Sequence, residues 1–290
     1  MRVLVTGAAG FIGSRVCAKL TEAGHEVIAI DAMLTAAHGN VSTPPDGVLE
    51  VDVRDASGLA SLLGGVDAVC HQAAVVGAGV DAADAPNYGS HNDYGTTVLL
   101  AEMFAADCRR LVLASSMVVY GQGGYDCPAH GVVDPLPRTR ADLDAGSFEH
   151  RCPIGGEELR WRLVGEDAPL RPRSLYAASK TAQEHYALAW SDAVGGSVTA
   201  LRYHNVYGPM MPRDTPYSGV AALFRSRVAD GRQLGSTMTS TSPAAYRTSR
   251  SIVDPAGSMT RPSVPTWSAA TLAAAISSTC TKSRICPPSS

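Results

Sequence analysis

Three side chains have the types and spacing for acid–base chemistry on a hydroxyl group: Ser116, Tyr176 and Lys180. Tyr176 and Lys180 stand at i and i+4, so a helix would present them on one face. A tyrosine of ordinary pKa, about 10, is a poor base at neutral pH. A cation close to the ring favours its phenolate. The phenolate can then take the proton of an alcohol while the carbon bearing it is oxidised. Ser116 can hydrogen-bond the same oxygen. Alone, this tyrosine–lysine spacing is often no more than a turn of amphipathic helix, so the preceding residues decide how it reads.

Those residues begin at the N-terminus. An apolar strand, Arg2–Thr6, runs into Gly7-Ala8-Ala9-Gly10-Phe11-Ile12-Gly13, which opens a helix. Gly7 permits a tight turn, and Gly10 lets backbone approach a pyrophosphate without a Cβ in the way. Gly13 lets the helix lie close to the sheet. The helix N-terminus offers N–H groups and a positive dipole end to phosphate. A second strand over 26–30 ends on Asp31, whose carboxylate can accept from the adenosine ribose hydroxyls and would repel a 2′-phosphate. These residues predict a dinucleotide site that prefers NAD to NADP.

Further strands are predicted at 48–51, closing on Asp52-Val53, and at 66–71, ending His71-Gln72-Ala73-Ala74. Two more lie at 111–114, ending Ser115-Ser116, and at 198–202. Helices are predicted over 11–23, 56–63, 94–106, 175–193 and 217–230, with a polar loop over 38–46. The 94–106 helix is read with Val98, Leu99, Met103 and Phe104 on its apolar side. Strands alternating with helices imply an α/β, doubly wound parallel sheet. Ligands of such sheets sit at the carboxyl ends of the strands, where Gly7, Asp31, Asp52, Ala73 and Ser116 all fall.

Composition bounds the remaining possibilities. Hydrophobic residues make up 45% and charged residues 18% of the 290, which suits a soluble domain with a large core. A net charge of −3 gives no basic surface for nucleic acid. No apolar run is long enough for a membrane span. A strand starting at Arg2 leaves no room for a signal peptide, and seven scattered cysteines do not form a disulfide framework. The expectation is a cytoplasmic protein without nucleic-acid or membrane partners.

The chain divides into a nucleotide-binding domain over 1–203, the start of a small C-terminal lobe over 204–232, and an atypical segment over 233–290. A Pro- and Gly-rich insertion occupies 121–173. Within it, Cys127-Pro-Ala-His130 has metal-ligand spacing, whereas Cys152-Pro-Ile-Gly155 lacks its second ligand because position 155 is glycine. His150 could supply a fourth donor. The favoured expectation is a brace of Cys-Pro turns with no metal, with Cys127, His130 and Cys152 the candidate ligands. From residue 233 onward, 22 of 58 residues are Ser or Thr and one is acidic. That composition predicts a disordered tail that cannot repay its ordering entropy, leaving the C-terminal lobe incomplete. It also reads like coding sequence translated out of frame.

The first 230 or so residues resemble the extended short-chain dehydrogenase/reductase family, in its nucleotide-sugar epimerase and dehydratase branch. The motifs are T-G-A-A-G-F-I-G-S at 6–14, Asp31, Asp52-Val53, H-Q-A-A at 71–74 and N-D-Y-G-T at 92–96. S-S-M-V-V-Y-G at 115–121, Y-A-A-S-K at 176–180 and R-Y-H-N-V-Y-G-P at 202–209 continue the series. The insertion and P-Y-S-G-V-A-A-L-F at 216–224 resemble the dTDP-rhamnose 4-epimerase-like subgroup. The resemblance implies a homodimeric Rossmann enzyme with Tyr176 as base, Lys180 lowering its pKa and holding the cofactor ribose, and Ser116 assisting. It implies NAD held by Gly7, Gly10, Phe11, Ile12, Gly13, Asp31, Asp52, Val53, Ala73, Ala74, Asn92, Ser115, Tyr176 and Lys180. A nucleotide sugar would lie against Ser116 and Asn205. Met117-Val118 stands where the branch's dehydratases carry an Asp-Glu pair, so epimerisation is favoured over dehydration. A 4-keto-sugar reductase, a dehydratase or an impaired nucleotide-binding protein are the alternatives.

Overall fold

The computed structural model describes residues 1–39, 41, 43–77, 81–209, 211, 226, 228 and 230. The 233–290 segment, almost all of the helix expected over 217–230, and most of the expected C-terminal lobe lie outside the described residues.

In chain order the elements up to the site are β1 (Arg2–Thr6), α1 (Phe11–Glu22), β2 (Glu26–Asp31), α2 (Thr35–His38), β3 (Val48–Glu50), α3 (Ala56–Leu63), β4 (Ala68–His71), α4 (Ala85–Tyr88), α5 (Gly95–Ala105) and β5 (Arg110–Ser116). The insertion adds β6 (Gly124–Cys127), β7 (Gly131–Val133), α6 (Arg140–Asp144) and β8 (Arg160–Arg162). Then α7 (Leu175–Val194) and β9 (Ser197–Tyr203) complete the core. Six strands form one parallel sheet in the order β3-β2-β1-β4-β5-β9. The chain leaves β1 toward β3, then crosses back to β4 on the other side. That reversal opens a crevice at the carboxyl ends of β1 and β4.

Helices on both faces explain why the strands are near-continuous apolar runs. Leu4 joins Ile30, Val69, Leu111 and Leu113 under α3, α5 and α7. Its neighbours Val3 and Val5 point the other way, with Ala29, Ala68, Cys70 and Val112, against Val16 and Leu20 of α1. Asp55 caps α3, Ser174 caps α7, and Gly195 ends α7 in the left-handed conformation. In α5 the buried face centres on Leu99 and Met103, with Leu100 at its margin. Phe104 is 60% exposed, not part of the apolar side: it lies about 100° round the helix from Met103, further than Leu100. The loop expected from residue 38 begins later, because His38 closes α2.

The insertion is not merely a brace of turns. Its strands form a separate antiparallel sheet, β7-β6-β8. Its returning limb docks on the main domain, where Arg171 N–H donates to Val119 O at 2.8 Å.

One buried polar chain ties the central elements together. Thr6 Oγ1 lies 2.7 Å from His71 Nδ1, His71 Nε2 lies 3.0 Å from Thr96 Oγ1, and Gln183 Nε2 donates to Thr96 Oγ1 at 2.6 Å. It links β1, β4, α5 and α7. Burial, reinforced by the charge of Lys180, pushes His71 down to about 3. The folded protein therefore holds this imidazole neutral, while the unfolded chain protonates it near 6.5. The associated stability is fully present above about pH 6.5 and is lost progressively as pH falls toward about 3. Urea midpoints of the native chain should fall between about pH 7 and 5, with a slope of up to about 1.4 kcal/mol per pH unit for one proton. In His71→Gln that part of the slope should vanish, and equal slopes in the two proteins would refute the assignment.

Candidate functional site

A cleft of about 650 Å³ opens at the carboxyl ends of the strands. Its floor is the β1–α1 turn. Gly7 has φ +68°, and a Cβ there would stand 2.7 Å from Ala73 N, so only glycine lets β1 and β4 end side by side. A Cβ on Gly13 would collide with Gly7 O, so glycine also sets how closely α1 approaches the turn. Gly10 caps α1 without any side-chain hydrogen bond, and the helix opens into the cleft with Phe11 and Ile12 on its lining.

Asp31 is 7% exposed at the end of β2. Ala9 N–H donates to its Oδ2 at 3.0 Å, Met33 N–H donates to Oδ1 at 2.9 Å, and His38 Nε2 lies 3.1 Å from Oδ1. A carboxylate has about four acceptor sites, so Oδ2 retains one for a hydroxyl in the cleft. His38 was not foreseen; its only signal in the sequence is a histidine seven residues after the acid. Asp52 and Val53 line the next wall. Burial disfavours the Asp52 carboxylate, but the Arg54 guanidinium and N–H more than offset it and lower its pKa. That guanidinium forks onto both carboxylate oxygens, at 3.0 and 2.6 Å at its closest.

Ala73, Ala74, Ser115, Ser116, Tyr176, Lys180 and Asn205 also line the cleft. Of the expected nucleotide-contacting residues, Asn92 alone does not. It is fully buried, in the π-helical turn Gly89–Tyr94. Its amide oxygen accepts from Val75 N–H at 2.7 Å and its amide nitrogen donates to Val75 O at 2.9 Å and Ser179 Oγ at 2.9 Å. It shapes the wall by holding Val75, which does line the cleft.

The residues expected to carry acid–base chemistry lie close together. Ser116, at the end of β5, is near enough to Tyr176 to favour its phenolate, but burial outweighs this and pushes Tyr176 up to about 12. Lys180 is 3% exposed; its ammonium donates to Ala114 O at 2.9 Å and stands 5.9 Å from the Tyr176 ring centre. Burial lowers Lys180 to about 7, against the opposing pull of Glu184 and Asp93. Asp93 is itself raised to about 6 by burial. Glu184, 1% exposed, accepts the Ser115 hydroxyl and pairs with Arg202 at 2.8 Å. Sequence reasoning missed Glu184, and it quoted Asp93 and Arg202 within motifs without giving either a role. Glu184 had a signal, since it continues the Tyr176–Lys180 series by one more helical turn.

In the insertion, Cys127, His130 and Cys152 come together, and Glu157 joins them. His150 does not. It is buried, edge-on to Tyr125, with Nδ1 3.2 Å from Leu136 O.

Among the described residues no helix is long and apolar enough to cross a membrane. The chain is 32% identical over 237 residues to dTDP-L-rhamnose 4-epimerase of Burkholderia thailandensis, covering 79% of this chain and 64% of that protein. It is 31% identical over 212 residues to UDP-glucose 4-epimerase of Corynebacterium glutamicum, covering 72% and 52%. Thermus thermophilus UDP-glucose 4-epimerase, solved in complex with NAD, superposes with a TM-score of 0.57 at 32% identity, over 81% of this chain and 64% of that one. The chain thus spans less than two thirds of the length of these relatives. The model of the NAD dependent epimerase/dehydratase family matches residues 3–140 and 158–244, on either side of the segment that carries Cys152 and Glu157. With most of its length matched in this way, and with the strand-end cleft that the motifs predicted, the chain belongs to the NAD dependent epimerase/dehydratase family.

Proposed function

We propose that the protein is an NAD-dependent epimerase that inverts C4 of a nucleotide sugar by way of a transient 4-keto sugar. The observation that carries this reading is the meeting of two sets of residues in one cleft: the glycine turn with Asp31, and Ser116 with Tyr176 and Lys180. The named relatives, acting on dTDP- and UDP-linked sugars, support the substrate class.

The residues fit a dinucleotide. The turn at Gly7 leaves no side chain over the floor, the α1 N-terminus is uncapped, and Asp31 keeps an acceptor site for a ribose hydroxyl. When bound, NAD supplies a cationic nicotinamide ring that can take up and return the hydrogen of the sugar carbon. Tyr176 receives the C4 hydroxyl proton and later gives it back. Ser116 donates to the same oxygen and keeps it near the ring. Burial alone would hold Tyr176 protonated, so its phenolate depends on positive charge in the cleft. Lys180 contributes such charge, sustained by Glu184 and Asp93, and is placed to hold a ribose. Met117 and Val118 follow Ser116 without an acid to protonate a leaving hydroxyl, which disfavours dehydration. Asn205, beyond the end of β9, is proposed to face the substrate.

The direct test is to assay the purified full chain against a panel of dTDP- and UDP-hexoses while quantifying bound NAD. Epimerised product without net cofactor consumption is expected; consumption of reduced cofactor would instead identify a reductase. Tyr176→Phe keeps the ring and removes the proton acceptor. Turnover should fall at least about a hundredfold, the scale of losing a general base, while NAD affinity is retained. An active Tyr176→Phe protein would place the base elsewhere. Cofactor choice is a separate matter. A 2′-phosphate beside Asp31 would meet a carboxylate already held in place, so calorimetry should give NAD about tenfold or more tighter binding than NADP, a difference of about 1.4 kcal/mol. Equal dissociation constants would exclude this role for Asp31.

A further inference from the structure

We propose that the insertion holds a structural zinc ion, ligated by Cys127 Sγ, His130 Nδ1, Cys152 Sγ and the Glu157 carboxylate. This site is separate from the cleft and does not depend on the function proposed for it.

The geometry comes first. The four donor atoms lie within 4.8 Å of one another. His130 Nδ1 is 3.3 Å from Cys127 Sγ and 3.5 Å from Cys152 Sγ, and Glu157 Oε2 is 3.7 Å from Cys127 Sγ and 3.8 Å from His130 Nδ1. With Zn–S of about 2.3 Å and Zn–N or Zn–O of about 2.0 Å, the edges of a zinc tetrahedron are about 3.3–3.8 Å. Four of the six donor pairs already have those spacings, and the other two lie within 4.8 Å.

The chain around the cluster also accounts for the fourth donor. The first Cys-Pro segment carries His130 at its fourth residue, whereas the second has Gly155 there. A Cβ on Gly155 would collide with the Glu157 carboxylate, so Glu157 occupies the space that a ligand side chain at 155 would fill. This resolves the missing fourth donor without His150.

The third observation is energetic. The insertion's sheet has strands of four, three and three residues, and its core consists of Tyr125, Cys127, Cys152 and Leu159. Units this small rarely hold together on apolar burial alone and use a metal or a disulfide instead. Two of those four core residues are the thiols. Two thiolates and an imidazole favour zinc over the hard cations that prefer oxygen. Binding Zn²⁺ displaces the two thiol protons to solvent and involves no change of oxidation state.

The test uses the full chain, purified under reducing conditions without chelator. Elemental analysis should find about one zinc per chain, and cobalt substitution should give the sulfur-to-metal charge-transfer absorption of a tetrahedral thiolate site. Cys127→Ser and Cys152→Ser should each lose the metal. Because those variants could fail to fold, Gly155→Cys provides the opposite reading. It supplies a third thiolate and should tighten zinc against a chromophoric chelator by about tenfold or more. The proposal is overturned by a zinc-free chain whose Cys127 and Cys152 alkylate freely, or by a Cys127–Cys152 disulfide in the protein. It is equally overturned by zinc content unchanged in both serine variants, or by unaltered zinc affinity in Gly155→Cys.

Discussion

The ammonium of Lys180 is buried beside the carboxyl end of β5, and much of the surrounding structure follows from making that tolerable. An uncompensated buried charge costs several kcal/mol and would simply neutralise. Here Ala114 O accepts directly from the ammonium, while Glu184 and Asp93 supply negative charge. Glu184 is in turn buried, and its own compensation comes from the Ser115 hydroxyl and the Arg202 fork. The chain of dependence thus runs from α7 through β5 to β9. Removing any one member would strand a charge on the next, and burial opposed by the pull of Glu184 and Asp93 leaves Lys180 at about 7.

Arg202 carries this constraint out of the Rossmann core. Its remaining nitrogen donates to Tyr120 Oη at 2.6 Å and to Glu166 O at 2.7 Å. Tyr120 lies in the turn that follows Ser116, and Glu166 lies on the returning limb of the insertion. The same guanidinium therefore positions the electrostatics under Lys180, the turn beyond Ser116 and the base of the inserted sheet. An insertion hung on such a contact cannot be a passive loop, because its returning limb must arrive in one place for Arg202 to be satisfied.

The parts of the site legible in the sequence are those whose chemistry is local. Gly7, Gly10 and Gly13 declare themselves through spacing within one turn, and Tyr176 with Lys180 through spacing on one helix. Asp31 is marked by its place at the end of an apolar strand. The parts that were not legible are pairings across the fold. Ser115 meets Glu184 from 69 positions away and Thr6 meets His71 from 65, and nothing in either local pattern names the partner. Asn92 shows the converse limit. Its motif was legible and its placement beside the cleft was correct, yet its amide is spent on Val75 and Ser179, behind the wall. Phe104 failed for a simpler reason, since helical periodicity finds an apolar stripe but not its width.

The insertion combines both limits. Cys127 and His130 were legible as a ligand pair because only two residues separate them. Glu157 was not, because a glycine in the expected ligand position reads as a loss. Only the folded turn shows that removing the side chain at 155 makes room for a carboxylate two residues on. A missing ligand in a sequence motif is therefore weak grounds for dismissing a metal site when a carboxylate close by in the chain can stand in the same space.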